Sequence, residues 1–441
     1  MYGKLKKKIL YAPLFTSMLL MSGGAAQSQE TAVDFKNKII ELEQRISGLE
    51  SLKQELQELK KNLLQKEEKV LAKEETLVSE IKSIKSLRKS LSVRESKPRG
   101  KWHLAGYADV GFEAISGDNN DSFVAGKFNP MFHFQYEDWL LFEGELQIVT
   151  NEAGETTIDV EFSQLDFMLH DNITLVVGKY LSPIGQFQER LHPSWINRSM
   201  NAPTGFGHGG VQPANEVGVM LRGGVTLTDE VTFRYSLSAG NGPRFGHDDD
   251  ELELEGIGAD NDSSKALGGR LALVHKSSLE LGFSYLDSGV NSKAGLLPDG
   301  DMALARKGDY RLWGADMAYT KGSWDIRAEY LNAKNSPSGG TVAGGFEEVN
   351  WEAWYAQMAY RLSGMLDNPA LGKLEPVIRY GEFRTNVGDE LQLSAEKRWN
   401  IGINYWLSSS IVVKTGIERR NYILVNRADE TRYKVQMAYG F

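Results

Sequence analysis

No cysteine occurs among the 441 residues, which excludes disulfides, thiolate metal sites, cysteine nucleophiles and a lipid-modified cysteine. Long apolar runs are missing too. The longest uncharged, mostly apolar stretch, residues 9–21, falls short of the roughly 20 residues that a spanning helix requires. H-E-x-x-H, G-x-S-x-G and P-loop signatures are absent, and each of them would be the local scaffold of a particular catalytic chemistry. The seven histidines, His103, His133, His170, His192, His208, His247 and His275, are scattered, with no i, i+4 pair to ligate a metal. The chain therefore reads as a non-enzyme, with no catalytic residue, no metal ligands and no cofactor. A basic excess is lacking as well, since the net charge is -9. Nucleic acid is not the expected partner.

Glycine (45 residues) and aromatics (10%) are plentiful, which leaves two classes open, a soluble all-β protein or a β-barrel. The charge is unevenly spread. Residues 31–100 carry 16 basic and 12 acidic side chains, whereas residues 101–441 carry 30 and 46, so the two regions are read separately.

Lys4, Lys6, Lys7 and Lys8 precede the apolar run 9–21, and Ser22, Gly23, Gly24, Ala25 and Ala26 follow it. A basic n-region, a short h-region and small residues make a signal peptide over 1–26, with export to the envelope. Over 31–98 the pattern has a period of seven. Leu42, Leu49, Leu56, Leu63, Val70, Leu77, Ile84 and Leu91 occupy one heptad position in succession, and proline is absent until Pro98. A single apolar stripe of that length predicts an oligomeric coiled coil. Its second seam drifts, and Lys53, Lys60, Glu67 and Glu74 interrupt it, so the strand number is left open.

After Trp102 the period changes to two. Trp102, Leu104, Gly106, Ala108, Val110 and Phe112 alternate with His103, Ala105, Tyr107, Asp109, Gly111 and Glu113, the mark of a strand with one apolar face. Sixteen such segments follow one another through 101–441, beginning with 101–115, 123–137 and 139–150, passing through 278–288, 309–321 and 323–334, and ending with 430–441. Short turns such as Asp171-Asn172, Thr228-Asp229 and Lys321-Gly322 alternate with longer connections such as 181–214, 241–264, 289–308 and 335–349. That alternation belongs to outer-membrane barrels, and strands of 10–14 residues exceed the five or six usual in soluble sheets. In the last segment Tyr433, Val435, Met437, Tyr439 and the terminal Phe441 share one face. This ending resembles the terminal signal of bacterial outer-membrane proteins. The predicted fold class is an all-β, sixteen-stranded antiparallel transmembrane β-barrel preceded by an α-helical coiled coil.

Three stretches carry a family resemblance: Gly178-Lys179-Tyr180 with Pro183 and Gly185; Leu374-Glu375-Pro376-Val377-Ile378-Arg379-Tyr380; and Asn400-Ile401-Gly402-Ile403-Asn404-Tyr405-Trp406-Leu407. They resemble the fifth strand and following loop, a late strand, and the strand before the last hairpin of the phosphate-selective porin family of the O and P type. The resemblance covers 101–441. It implies an outer-membrane channel whose third loop folds inward and whose basic track serves anions. On that footing the connection from Leu181 to Ala214 is the expected constriction, with Lys179, Glu189, Arg190, His192 and Arg198 as its candidate residues. Pore-lining candidates on the inward face are Lys127, Glu143, Glu145, Arg222, Arg234, Arg270, Arg327, Arg361, Arg379 and Arg398, with Lys414 and Lys434 beside them. Guanidinium forks suit phosphate and carboxylate. The same face carries Asp109, Glu113, Glu216, Asp325, Glu329 and Glu375, and the loop after His247 adds Asp248, Asp249, Asp250, Glu251, Glu253 and Glu255, so the field is mixed. That acidic loop matches no EF-hand spacing.

The expected function is passive diffusion of small hydrophilic solutes or ions, including anions such as phosphate, by a homotrimer embedded in outer-membrane lipid, with the coiled coil in the periplasm. A structural alternative makes the coiled coil a tether to the cell wall or to a periplasmic partner, with the barrel as its anchor.

Overall fold

The computed structural model describes residues 100–441 except 118–120, 152, 246–251, 255–257, 261–262, 293–294, 297–301, 304–305, 339–346, 393 and 425–426. Of the preceding stretch it describes residues 37–43, 47–48, 50, 53–66, 73, 81–82 and 85. The chain divides into two compact units, Met1–Ser96 and Lys97–Phe441. The segment assigned to the signal peptide, 1–26, lies outside the described residues.

In the first unit every described residue is helical, and Leu42, Leu56, Leu59 and Leu63 are exposed. Among the described residues no second helix packs on this stripe, and none is long and apolar enough to cross a membrane.

The second unit is a single antiparallel sheet closed on itself. Its sixteen long strands are β1 (Lys101–Ile115), β2 (Lys127–Tyr136), β3 (Leu140–Thr150), β4 (Thr156–His170), β5 (Ile173–Leu181), β6 (Asn215–Thr228), β7 (Val231–Gly240), β8 (Ala266–His275), β9 (Leu279–Ser292), β10 (Arg306–Lys321), β11 (Trp324–Pro337), β12 (Val349–Tyr360), β13 (Leu374–Val387), β14 (Glu396–Trp406), β15 (Ile411–Tyr422) and β16 (Glu430–Gly440). Each pairs with its sequence neighbours. β16 closes the ring on β1, with Met437 opposite Val110 and Gly440 opposite Tyr107. Closure leaves no unpaired edge, which is the condition for a sheet to stand in hydrocarbon.

Alternation sets the two faces. Leu267, Leu271 and Leu273 on β8, Leu281 and Phe283 on β9, Ile401 and Ile403 on β14, and Tyr433, Val435, Met437 and Tyr439 on β16 all point outward and are exposed. The intervening positions hold buried charges such as Arg270, Asp316, Glu329 and Arg379. Apolar outside and polar inside is the inverse of a soluble sandwich, and it suits a lipid solvent.

Three differences from the expected segmentation have physical causes. The segment expected over 123–137 divides into a short strand, Ser122–Val124, and β2. Gly126 lies between them at φ +69°, packed against the Asp109 backbone carbonyl, where a side chain has no room. β9 and β10 extend past their expected ends and pair as far as Ser292 opposite Arg306. Backbone pairing continues beyond the apolar belt without needing alternation there. The connections also depart from strict short and long alternation: 151–155 is brief, and 361–373 forms two 3-10 turns, Leu362–Gly364 and Leu371–Lys373. Glu253 of the acidic loop lies in a two-residue strand and bonds Arg244 at 2.6 Å, while Asp248, Asp249, Asp250, Glu251 and Glu255 fall outside the described residues.

Candidate functional site

The connection between β5 and β6, residues 182–214, turns into the barrel and packs on its inner wall. Its prolines and glycines leave few backbone groups for regular structure, and its one helical element is a π-turn, Phe187–Leu191. The apolar side chains Ile184, Phe187, Leu191, Phe206 and Val211 pack on Leu286, Tyr310, Leu331 and Tyr355 of β9–β12. Polar anchors reinforce this face. The Gln186 and Phe187 amides donate to the two oxygens of Glu329, both at 3.2 Å, and the Gly185 amide donates to Ser284 at 3.0 Å. Gly185 sits at φ +67° with its α-carbon pressed against the Glu329 carboxylate, so this position requires glycine.

A second anchor faces β13–β15. The Lys414 ammonium donates to the carbonyls of Ser194 (2.5 Å), Asn197 (2.6 Å) and Ser199 (3.2 Å). Arg379 donates to the Asn201 carbonyl at 2.5 Å and to Asn197 Oδ1 at 3.3 Å, Asn404 donates to the Arg198 carbonyl at 2.9 Å, and Asn201 donates to Glu418 at 2.8 Å. Irregular backbone at membrane depth survives only where its polar groups find partners like these.

With β8–β15 covered, open space remains along β1–β6 and β16. A cavity of about 450 Å³ is bordered by Asp109, Glu113, Lys127, Gln188, His208 and Lys434 among others. A smaller one of about 210 Å³ is bordered by Glu143, Glu145, Glu189, Arg190 and Arg222. His192 borders both. Its Nε2 stands 3.7 Å from Glu145, whose Oε1 accepts from Tyr107 (2.9 Å) and Asn129 (2.7 Å).

The five constriction candidates therefore separate. His192, Glu189 and Arg190 meet at the smaller cavity. Lys179 instead lies on the wall and donates to the Val160 carbonyl at 2.6 Å, and Arg198 points away, 3.5 Å from both Asp325 and Glu375 and stacked over Trp406. The pore-lining candidates separate in the same way. Lys127, Glu143 and Arg222 border open space, Arg222 holding Asp166, whereas Glu145 is fully buried beneath its bonds to Tyr107 and Asn129. Arg270 and Arg379 are only 4% and 2% exposed, buried beneath the inward segment. Arg270 grips Asp316 with two bonds of 2.7 and 2.5 Å. Arg234, Arg190 and Arg270 converge on Glu280 at 3.1, 2.7 and 2.8 Å. Arg327 bonds Asp325 at 2.8 Å and Gln186 at 3.2 Å, Arg361 lies over Trp406 and 3.4 Å from Glu375, and Arg398 pairs with Glu396. Strand parity gives each side chain its face, but it carries no information about what covers that face.

Glu161 was not among the candidates. Counting back by twos from the exposed Leu165 and Ser163 places it outward, but a bulge opposite Glu145 and Leu146 leaves it as an extra residue. The bulge turns it into the barrel, where it meets His208 at 2.8 Å and Gln147. Tyr107, Asn129 and Lys414 owe their places at this site to tertiary contacts. Among the described residues no group of three His, Asp or Glu could hold a metal ion.

A family model described as phosphate-selective porin O and P matches residues 206–438. Among solved structures, an anion-selective porin from Comamonas acidovorans aligns with a TM-score of 0.52 at 10% identity, covering 78% of this chain and 100% of that one. The loop L8 deletion mutant of OmpT, an outer membrane protein of Vibrio cholerae, aligns at 0.51 and 11% identity, with 78% and 99% covered. The in-vitro folded trimer form of OmpT aligns at 0.50 and 11%, with the same coverage. Identities this low report a shared fold. No curated protein matches the sequence.

Proposed function

Because this chain belongs to the phosphate-selective porin O and P family, an outer-membrane channel for passive diffusion, we propose that it admits small hydrophilic solutes and ions of either sign through the gap beside the inward segment. Inorganic phosphate is then one cargo among several. The observation that carries this reading is the pairing of charges along the gap. Lys434 lies 3.1 Å from Glu113, Arg222 holds Asp166, Arg190 is bound to Glu280, and His208 to Glu161. Paired charges give a small net field, and selectivity by charge follows the unpaired remainder. Further parts of the proposal are a homotrimer, removal of a signal peptide over 1–26, and a periplasmic coiled coil over 31–98 whose leucine stripe is covered by copies of itself. No specific observation favours a tether to the cell wall or a periplasmic partner.

Planar-bilayer recording of the purified protein tests this. The expected result is a stable open conductance in steps of three, with a reversal potential close to zero in a tenfold KCl gradient. A folded barrel that passes no current would overturn the channel. A reversal potential near the anion limit with phosphate block would replace weak selectivity by a phosphate-specific track.

A further inference from the structure

Toward β9–β15 the inward segment is tied by apolar contacts and by the bonds of Lys414 and Arg379. Toward β3 and β4 it reaches with two imidazoles, each set against a carboxylate of the wall. His208 Nε2 stands 2.8 Å from Glu161 Oε1 and 3.2 Å from the Gln147 amide. His192 Nε2 stands 3.7 Å from Glu145 Oε1, an oxygen fixed in place by Tyr107 and Asn129. Among the described residues, these histidines are the ion-pair partners of Glu161 and Glu145. Both contacts lie along the open space: His192 borders the two cavities, and His208 borders the larger one.

Imidazole is the side chain whose charge changes between pH 5 and 8. His192 Nδ1 is 2.6 Å from the Gln188 carbonyl, which can only accept, so Nδ1 keeps a proton and Nε2 carries one only in the charged ring. In that state an N–H and a positive charge face Glu145. In the neutral ring a lone pair faces the same carboxylate, and attraction gives way to repulsion. His208 responds in the same direction but less steeply, because its neutral ring can still donate to Glu161, and a charged donor makes a bond roughly twice as strong. Other charges surround the two contacts. Near His192 the smaller cavity holds Glu143 and Glu189 with Arg190 and Arg222, and Tyr107 presents its ring at 6.2 Å. Beside His208 the larger cavity holds Lys127, Asp109, Glu113 and Lys434. Arg190, Arg222 and Lys434 already have Glu280, Asp166 and Glu113 as partners, which leaves Glu145 and Glu161 to the imidazoles.

We infer that His192 and His208 form a pH-operated latch between the inward segment and the barrel wall, fastened when the imidazoles are charged and released as the pH rises, so that the two cavities join into one wider gap. The latch rests on the channel proposed above, and the test separates the two. Full-length protein is recorded in a planar bilayer in KCl from about pH 5.5 to about pH 8, with neutral polyethylene glycols of increasing size added as pore-filling probes. Unitary conductance is expected to rise by about twofold over that range, and the largest polymer admitted is expected to grow with it. A gap that widens changes both readings, whereas a change of charge alone changes only the current. His192→Gln combined with His208→Gln keeps polar side chains that cannot titrate, and is expected to lose the pH response. Glu161→Gln, on the wall, is expected to reduce the response by about half, and it carries the test if the double variant gives no current. His133→Gln removes another inward imidazole, whose partner Glu143, 3.4 Å away, is on the wall like itself, and is expected to respond as the native protein does. Conductance and polymer limit that do not change with pH would overturn the latch while leaving the channel standing. So would a response lost in His133→Gln, or one undiminished in both the double variant and Glu161→Gln, which would place the switch at the Lys414 anchor instead. No KCl current from the native protein at any pH would overturn both.

Discussion

At the scale of single residues, the interior is governed by a few buried cations whose partners are backbone carbonyls or carboxylates. Lys414, 1% exposed, replaces its lost hydration with three carbonyls of the inward segment. Lys414→Met removes the ammonium and leaves those carbonyls unpaired, a local cost of about 3 kcal/mol. The expected outcome is a larger and noisier single-channel conductance, with faster amide exchange over 194–201 in hydrogen-exchange measurements. Unchanged conductance and exchange would show that the apolar anchor alone holds the segment. Arg270 differs because its partners are charged. Arg270→Met strands Asp316 in the interior and should lower stability by about 3–5 kcal/mol, read as a lower urea midpoint, whereas Arg270→Met with Asp316→Leu should recover part of the loss. Neither role was legible in the sequence. Lys414 and Arg270 could be assigned to the inward face by alternation, but the carbonyls of Ser194 and Ser199 are more than 200 positions away from Lys414. Glu161 was missed for a more local reason, since a bulge changes parity without leaving a composition signal.

At the scale of elements, the strands were legible because lipid and lumen impose opposite demands on alternate residues, and the alternation persists for the length of the belt. Leu271, exposed on the outer face of β8, sits one residue from the buried Arg270. Leu271→Arg therefore puts a charge in lipid rather than in the lumen, at a cost of about 2–4 kcal/mol near the bilayer midplane. Reduced folding yield into lipid vesicles, with no change in the conductance of the molecules that do fold, would confirm the outward assignment. The inward segment was less legible. Its length and its family resemblance indicated an inward turn, but its anchors are spread over β9–β15 and no periodic pattern announces them. Gly185 is the exception in being testable from one position: Gly185→Ala forces a side chain onto Glu329 at a left-handed φ, and should displace the segment from β11. The expected readout is an altered unitary conductance in barrels that still resist heat.

At the scale of the molecule, the two compact units make separable predictions. Deleting 31–98 should leave the unitary conductance unchanged and shift the complex to smaller assemblies or lower thermal resistance, as gel mobility and recording will show. Loss of conductance on deletion would assign the helix a part in the pore. What the sequence determined by itself was the class of solvent each segment meets: a period of seven for a helix with one sticky stripe, a period of two with its apolar face outward for strands in lipid, and a family for the closed barrel. These are local properties, repeated often enough along the chain to be read without a structure. Only the tertiary structure decided which inward charges face open space and which lie beneath the segment, and that His192 stands between two cavities. Closure of the ring and the fold of one segment inside it brought those residues together. Their pairing depends on distances across the barrel, which no periodicity along the chain encodes.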